Sequence, residues 1–186
     1  MSTMSALEAV CVIETGSIAR GFVVLDALVK KAPVVVKVAR PVSPGKLVLL
    51  FGGDVEAAFE AFDAARAVAG TDLIDELFLP GAHKALLPAI DCAVVPHAGE
   101  AVGIVEMSTV AAAVHAADVA LKTVDVTVLR MHLAVGVGGK GYFTLAGPLG
   151  DIAAALDAVR GSANAARVVA IELIPQPHPE VRGFLG

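Results

Sequence analysis

Apolar and polar positions along this chain switch between two periods, and the switches mark out elements. An unbroken apolar run near residues 7 to 14, AVCVI with Glu14 behind it, predicts a buried strand. Helical spacing follows near 17 to 31, with Ser17 as N-cap. Val34 to Arg40 supply a β-branched strand, PVSPG turns the chain and KLVLLFG returns as another strand. Asp54 then caps a helix whose Val55, Ala58, Phe59 and Phe62 share one apolar face, ending at Gly70. LIDELFL is a fourth strand, a short helix is expected at 82 to 89, and IDCAVVPHAG, residues 90 to 99, reads as a linker.

The same order then recurs. AVCVIETGSIARGFVVLDALVK, residues 9 to 30, returns as AVGIVEMSTVAAAVHAADVALK, residues 101 to 122, which matches Glu14 to Glu106, Asp26 to Asp118 and Lys30 to Lys122. Lys46 falls on Lys140, Gly53 on Gly147, and the closing ELFLPGAH on ELIPQPH, with His83 on His178. Two copies of a β-α-β-β-α-β domain are predicted, over residues 5 to 92 and 98 to 180. The fold class is α+β and ferredoxin-like, each copy a four-stranded antiparallel sheet covered by helices.

Composition narrows the class. The chain has 186 residues, 56% of them hydrophobic, and a mean hydropathy of +0.77, which is almost membrane-like. Its longest run without Asp, Glu, Lys or Arg is the eleven residues Met107 to Ala117, too short for a membrane span of about 20 residues. The surplus of Ala and Val suggests surface buried between subunits as well as within them. A net charge of -5, no Trp and one Tyr leave neither the basic stripe nor the stacking aromatics of a nucleic-acid binder. Cys11 and Cys92 form no C-x-x-C pair and read as small buried side chains, and MSTMSALEAV has neither the basic start nor the apolar run of a signal peptide, so a reducing cytoplasm is expected.

Candidate chemistry is sparse. Gly136, Gly138 and Gly141 spell G-x-G-x-x-G, but the loop lies between two predicted strands instead of opening a helix, and Ala134 and Gly141 break the Walker pattern around Lys140. His83, His97, His115, His132 and His178 show no metal-ligand spacing. His132 leads into the glycine loop and is a candidate to meet whatever passes there. Glu14 and Glu106 read as capping or salt-bridge residues, and the Asp26–Lys30 and Asp118–Lys122 pairs as exposed helix faces.

The repeat, the GVGGKGYFTLAG hairpin and the P-x-P-H ending together resemble the bacterial microcompartment shell domain. Two such domains in one chain resemble its tandem-domain shell proteins, nearest in pattern to the propanediol-utilisation type. The likeness covers nearly all of residues 7 to 180 in order. It implies a homotrimer that mimics a hexamer, tiled edge to edge with other shell proteins around encapsulated enzymes in the bacterial cytoplasm, and it implies no catalysis. It also implies a central pore for a small polar metabolite, lined by Ser43, Pro44 and Gly45 and by Val137, Gly138, Gly139 and Gly141, with Lys46, Lys140 and His132 beside it. Lys46 and Lys140 are expected to be turned away or paired, because a ring of like charges is costly. Asp26, Lys30, Asp118, Lys122, His83 and His178 fall at the tiling edges.

The chain departs from that pattern twice. In the propanediol-type relative a cysteine after the lysine of the glycine loop holds an iron-sulfur cluster; Gly141 stands there, so no cluster, other cofactor or metal is expected. Gln176 and the Gly81-Ala82 pair replace the arginine motif of many single-domain relatives, which implies weaker or more selective edges. The competing reading is a trimeric small-molecule-binding or sensor protein built from tandem ferredoxin-like domains. A nucleotide-using enzyme rests on the glycine spacing alone.

Overall fold

The computed structural model describes residues 7–91 and 100–185, in two compact units that divide between Ala82 and His83. Cys92, His97 and the rest of the expected linker from residue 92 lie outside the described residues. No helix among the described residues is long and apolar enough to cross a membrane.

The first unit runs β1 (Ala9–Thr15), α1 (Ile18–Lys31), β2 (Val35–Val42), β3 (Lys46–Gly53), α2 (Val55–Ala69) and β4 (Leu73–Pro80). Its antiparallel sheet has the order β2-β3-β1-β4, the split βαβ topology. Both predicted caps form: the Ser17 side chain accepts the Arg20 amide, and that of Asp54 accepts the Ala57 amide. Strand alternation sends Ala9, Cys11 and Ile13 toward the helices, where they meet Val24 and Leu28 of α1 and Ala58, Ala61 and Phe62 of α2. Glu14 therefore lies on the other face of the sheet.

The second unit opens with α3 (Leu86–Ile90) and continues β5 (Ala101–Met107), α4 (Val110–Thr123), β6 (Thr127–Leu133), β7 (Gly141–Gly147), α5 (Leu149–Arg160), β8 (Val168–Pro175) and α6 (Pro179–Leu185). Its sheet order, β6-β7-β5-β8, repeats that of the first unit. Two features differ from the sequence reading. The short helix expected at 82 to 89 lies at Leu86–Ile90, and residues 83–91 belong to the second unit instead of closing the first. A further helix, α6, follows the P-x-P-H ending, with Pro179 at its first turn, where a missing amide is harmless.

The two copies fill the same spaces with exchanged side chains. In the first, Gly21 of α1 faces Leu47 of β3; a Cβ on Gly21 would fall 2.5 Å from Leu47 Cδ2. In the second, the matching residues are Ala113 of α4 and Gly141 of β7, and a Cβ on Gly141 would fall 2.5 Å from that of Ala113. Helix and strand come so close that one side chain fits, and each copy places it on the opposite element. The same exchange joins Cys11 with Ala58, and Gly103 with Ile152: the Cys11 thiol donates to the Ala58 carbonyl at 3.7 Å, while a Cβ on Gly103 would lie 3.0 Å from Ile152. Cys11 thus fills a packing volume, and its burial pushes the thiol pKa up to about 12, far from reactive thiolate chemistry.

Gly141 is accordingly corrected. It is buried beneath α4 at the start of β7 and does not stand on the rim of the loop. Gly141→Ala is expected to cost about 1–3 kcal/mol through overpacking, and Ala113→Gly to recover part of that loss in the double variant. Chemical denaturation of the four members of the cycle at one chain concentration checks this; additive losses would refute the shared space.

A turn of left-handed backbone ends each sheet. Gly81 (φ 63°) donates its amide to the Glu8 carbonyl, and Gln176 (φ 52°) donates to that of Glu100. Gln176 holds with a Cβ a conformation that its counterpart holds without one. Gln176→Gly is expected to raise stability by about 0.5–1 kcal/mol, read as a higher unfolding midpoint in the same assay.

Candidate functional site

The most distinctive exposed backbone in each copy is the turn after its second strand. Between β2 and β3 the turn is short: Ser43, Pro44 and Gly45 are exposed, Gly45 (φ 117°) donates its amide to the Val42 carbonyl, and Lys46 begins the next strand. Between β6 and β7 it is longer, with Ala134, Gly136, Gly138 and Gly139 all at positive φ. Added Cβ atoms at Gly45, Gly136 or Gly138 would meet nothing, so those glycines serve the backbone path and not a contact within the chain. Gly138 is exposed, Val137 half-buried and Gly139 buried. A strand follows the G-x-G-x-x-G spacing, so no helix N-terminus faces the loop as a dinucleotide site requires.

Each turn has a lysine at its root, and each lysine reaches back to the glutamate near the end of its first strand. Lys140 Nζ lies 2.6 Å from Glu106 Oε1, and Lys46 Nζ lies 3.7 Å from Glu14 Oε2. Strand register makes this possible: Glu106 pairs across the ladder with Tyr142 and Glu14 with Val48, each two residues beyond its lysine. The pairs differ in burial. The Glu106 and Lys140 side chains are 34% and 44% exposed, whereas those of Glu14 and Lys46 are 0% and 16% exposed.

His132 is committed to its own loop. Its Nε2 lies 2.6 Å from the Val135 carbonyl, and its ring stacks on Tyr142 at 5.1 Å. A carbonyl only accepts, so Nε2 carries the proton and the imidazole clamps the loop entrance.

The expected edge residues separate into two sets. Asp26 and Lys30 form an exposed pair at 2.6 Å, and His178 is exposed. Asp118, by contrast, is 4% exposed at its side chain; it holds Lys122 at 2.6 Å and accepts the His83 backbone amide at 2.7 Å. Asp118 and His83 are thus used inside the second unit, which corrects the expectation of an exposed face there. Sequence reasoning missed this because matching residues in two copies look alike until one of them is covered.

Among the described residues no group of three or more His, Cys, Asp or Glu side chains could hold a metal ion. The distinctive chemistry lies in paired turns and tethered lysines, carried on two copies of one sheet-and-helix unit. Such a chain is a tandem split βαβ protein whose working parts are repeated surfaces.

This chain belongs to the BMC domain family, whose pattern matches residues 9–82 and again residues 101–177. It is 40% identical over 172 residues to the bacterial microcompartment shell protein PduT of Citrobacter freundii, covering 92% of this chain and 94% of that protein. A crystal structure of a microcompartments protein from Desulfitobacterium hafniense DCB superposes with a TM-score of 0.84 at 33% identity, over 96% of this chain and 99% of the other. The fused permuted hexameric shell protein MSM0275 from the RMM microcompartment shares the fold, with a TM-score of 0.66 at 23% identity over 88% and 85% of the two chains. The protein is a structural component of a bacterial microcompartment shell in the bacterial cytoplasm, and not an enzyme.

The lysine tethers make a test. Lys140→Met is expected to change stability by less than about 1 kcal/mol, since its pair is well solvated. Lys46→Met is expected to cost about 2–4 kcal/mol, because it removes a cation beside a fully buried carboxylate, and Glu14→Gln on top of it to restore part of the loss. Guanidinium titrations at one chain concentration read both; equal losses for the two lysines would contradict the difference in burial.

Proposed function

We propose that three copies of this chain close into a ring of six domains whose two kinds of turn surround a central passage. Ser43, Pro44 and Gly45 form its rim in one half of each chain, and Val137, Gly138 and Gly139 in the other. The observation that carries this reading is the repeated turn itself: glycine-bearing, exposed at Ser43, Pro44 and Gly45 and at Gly138, and rooted on a lysine that bends back toward its own sheet. Turns converging on an axis have little room for side chains, and glycines whose Cβ would meet nothing within the chain leave that room to neighbouring copies.

Electrostatics fit the same arrangement. Six ammonium groups pointing at one axis would repel strongly at short range, and pairing each with a glutamate removes most of that cost. What remains at the rim is backbone, where successive amides at positive-φ positions favour partial negative charge. A small polar metabolite, neutral or anionic, suits such a rim, and other shell proteins occupy the outer edges of the ring.

Light scattering at micromolar concentration is expected to give three chain masses of 18.8 kDa each, and class-averaged electron micrographs a central opening. A particle of one chain mass, or a ring with its turns on the perimeter, would overturn the proposal.

A further inference from the structure

The face of each sheet turned away from its helices carries a row of side chains at the root of the turn. In the first copy the row runs Arg40, Val48, Glu14 and Asp75, across β2, β3, β1 and β4. In the second it runs His132, Tyr142, Glu106 and Ala170, across β6, β7, β5 and β8. His132 thus stands where the first copy has a permanent cation, and Ala170 where it has a second carboxylate.

Charge balances in both rows, but by different means. With the tethered lysine of each turn included, the first copy sets Arg40 and Lys46 against Glu14 and Asp75. The second sets Lys140 against Glu106 and is balanced only while His132 is neutral. The neighbouring row of that face adds Arg130, opposite Thr144, and Glu172, opposite Ile104, which offset each other in sign. Protonating His132 therefore adds a positive charge that its row has no further carboxylate to answer.

Other elements bring little charge against the imidazole. α4, with His115, Asp118 and Lys122, packs on the helix face of the sheet, where Ala113 meets Gly141. α3, which also lies against β6, has no ionisable side chain within Leu86–Ile90, and His83, Lys84 and Asp91 flank it. α6, with Glu180 and Arg182, reaches the face at Thr144, opposite Arg130 and not His132. The imidazole itself is held, with Nε2 bonded to the Val135 carbonyl and the ring stacked on Tyr142. A proton taken up at Nδ1 leaves that bond intact and makes it charge-assisted. The new charge then stays at the root of the loop instead of swinging into solvent.

From this we infer that His132 is a charge selector for the glycine loop, neutral above the imidazole range and a fixed cation below it. In its cationic form it draws small anions, inorganic or carboxylate, to Gly136, Val137 and Gly138. Backbone amides at positive φ already favour negative charge there, and the imidazolium adds a full unit to their partial charges. The first copy has no such step, since Arg40 keeps its charge at every working pH. The step belongs to each chain by itself; its effect on a solute in a central passage rests on the ring reading above.

Tyr142 reports on the step directly, because it is the sole tyrosine in a chain without tryptophan. Its emission is quenched on the full chain by iodide, an anion, and by neutral acrylamide, at constant ionic strength. From about pH 8 to about pH 5.5, the ratio of iodide to acrylamide quenching constants is expected to rise at least about twofold in the wild type. His132→Gln, whose amide can still donate to the Val135 carbonyl, is expected to hold the low ratio throughout, and His132→Arg the high one. His178→Gln, at an exposed histidine on another element, controls for the general gain of charge on acidification and is expected to follow the wild type. A flat wild-type ratio, or an equal rise in His132→Gln, would overturn the selector. Light scattering on the same samples separates the two readings. A particle of one chain mass with an intact step would overturn the ring alone, and a trimer with a flat ratio the selector alone.

Discussion

A tight constraint shared by both copies is the approach of the first helix of each to the beginning of its third strand. One side chain fits between them, supplied by Leu47 in one copy and by Ala113 in the other. The residue immediately before that contact is the lysine at the root of the turn, Lys46 or Lys140. Helix packing therefore fixes the strand end, the strand end fixes the lysine, and the turn projects from an anchored base. A close-packed interior transmits such a constraint because it has little slack to absorb a displaced methyl group. The turn can then be short of side chains and still hold its place.

Charge follows from that anchor. Both lysines sit two residues before the residue that faces the strand-one glutamate, so the ladder itself brings cation and anion together. In the first copy the pair is nearly dry, and in the second it is half solvated. The half-solvated tether adds little to folding but still biases where the ammonium group spends its time. In the ring proposed above, that bias would matter more than its contribution to stability, because it would hold a positive charge back from the opening and leave amide dipoles as the field that a solute meets.

Much of this was legible in the sequence, because repetition doubles the signal. The element order, both N-caps and the hairpin character of the glycine loop follow from periodicity and residue type. Glycine is where such reading runs short. Gly138 is there for its backbone angle and Gly141 for a missing Cβ, and only the packing around each distinguishes the two reasons. The separate fates of Asp118 and Asp26 were equally hidden, since identical neighbours in sequence say nothing about what covers them. Helix α6 escaped notice because seven residues with an exposed Phe184 carry too little periodicity to announce a helix.

The exchange of Gly21 and Leu47 for Ala113 and Gly141 also bears on how two unlike copies can serve as equivalents. Interchanging which element carries the side chain leaves the spacing of helix and strand unchanged while the sequence around each turn diverges. One copy can then hold a short proline turn and the other a long glycine loop, on frames that still superpose in topology and register. Six domains of one kind would repeat one turn around an axis; in the proposed ring three copies of one chain, each with two kinds of domain, would alternate two. Duplication with internal compensation thus widens the choice of turn without altering the frame that holds it, and the constraint that limits each interior is what permits the turns to differ.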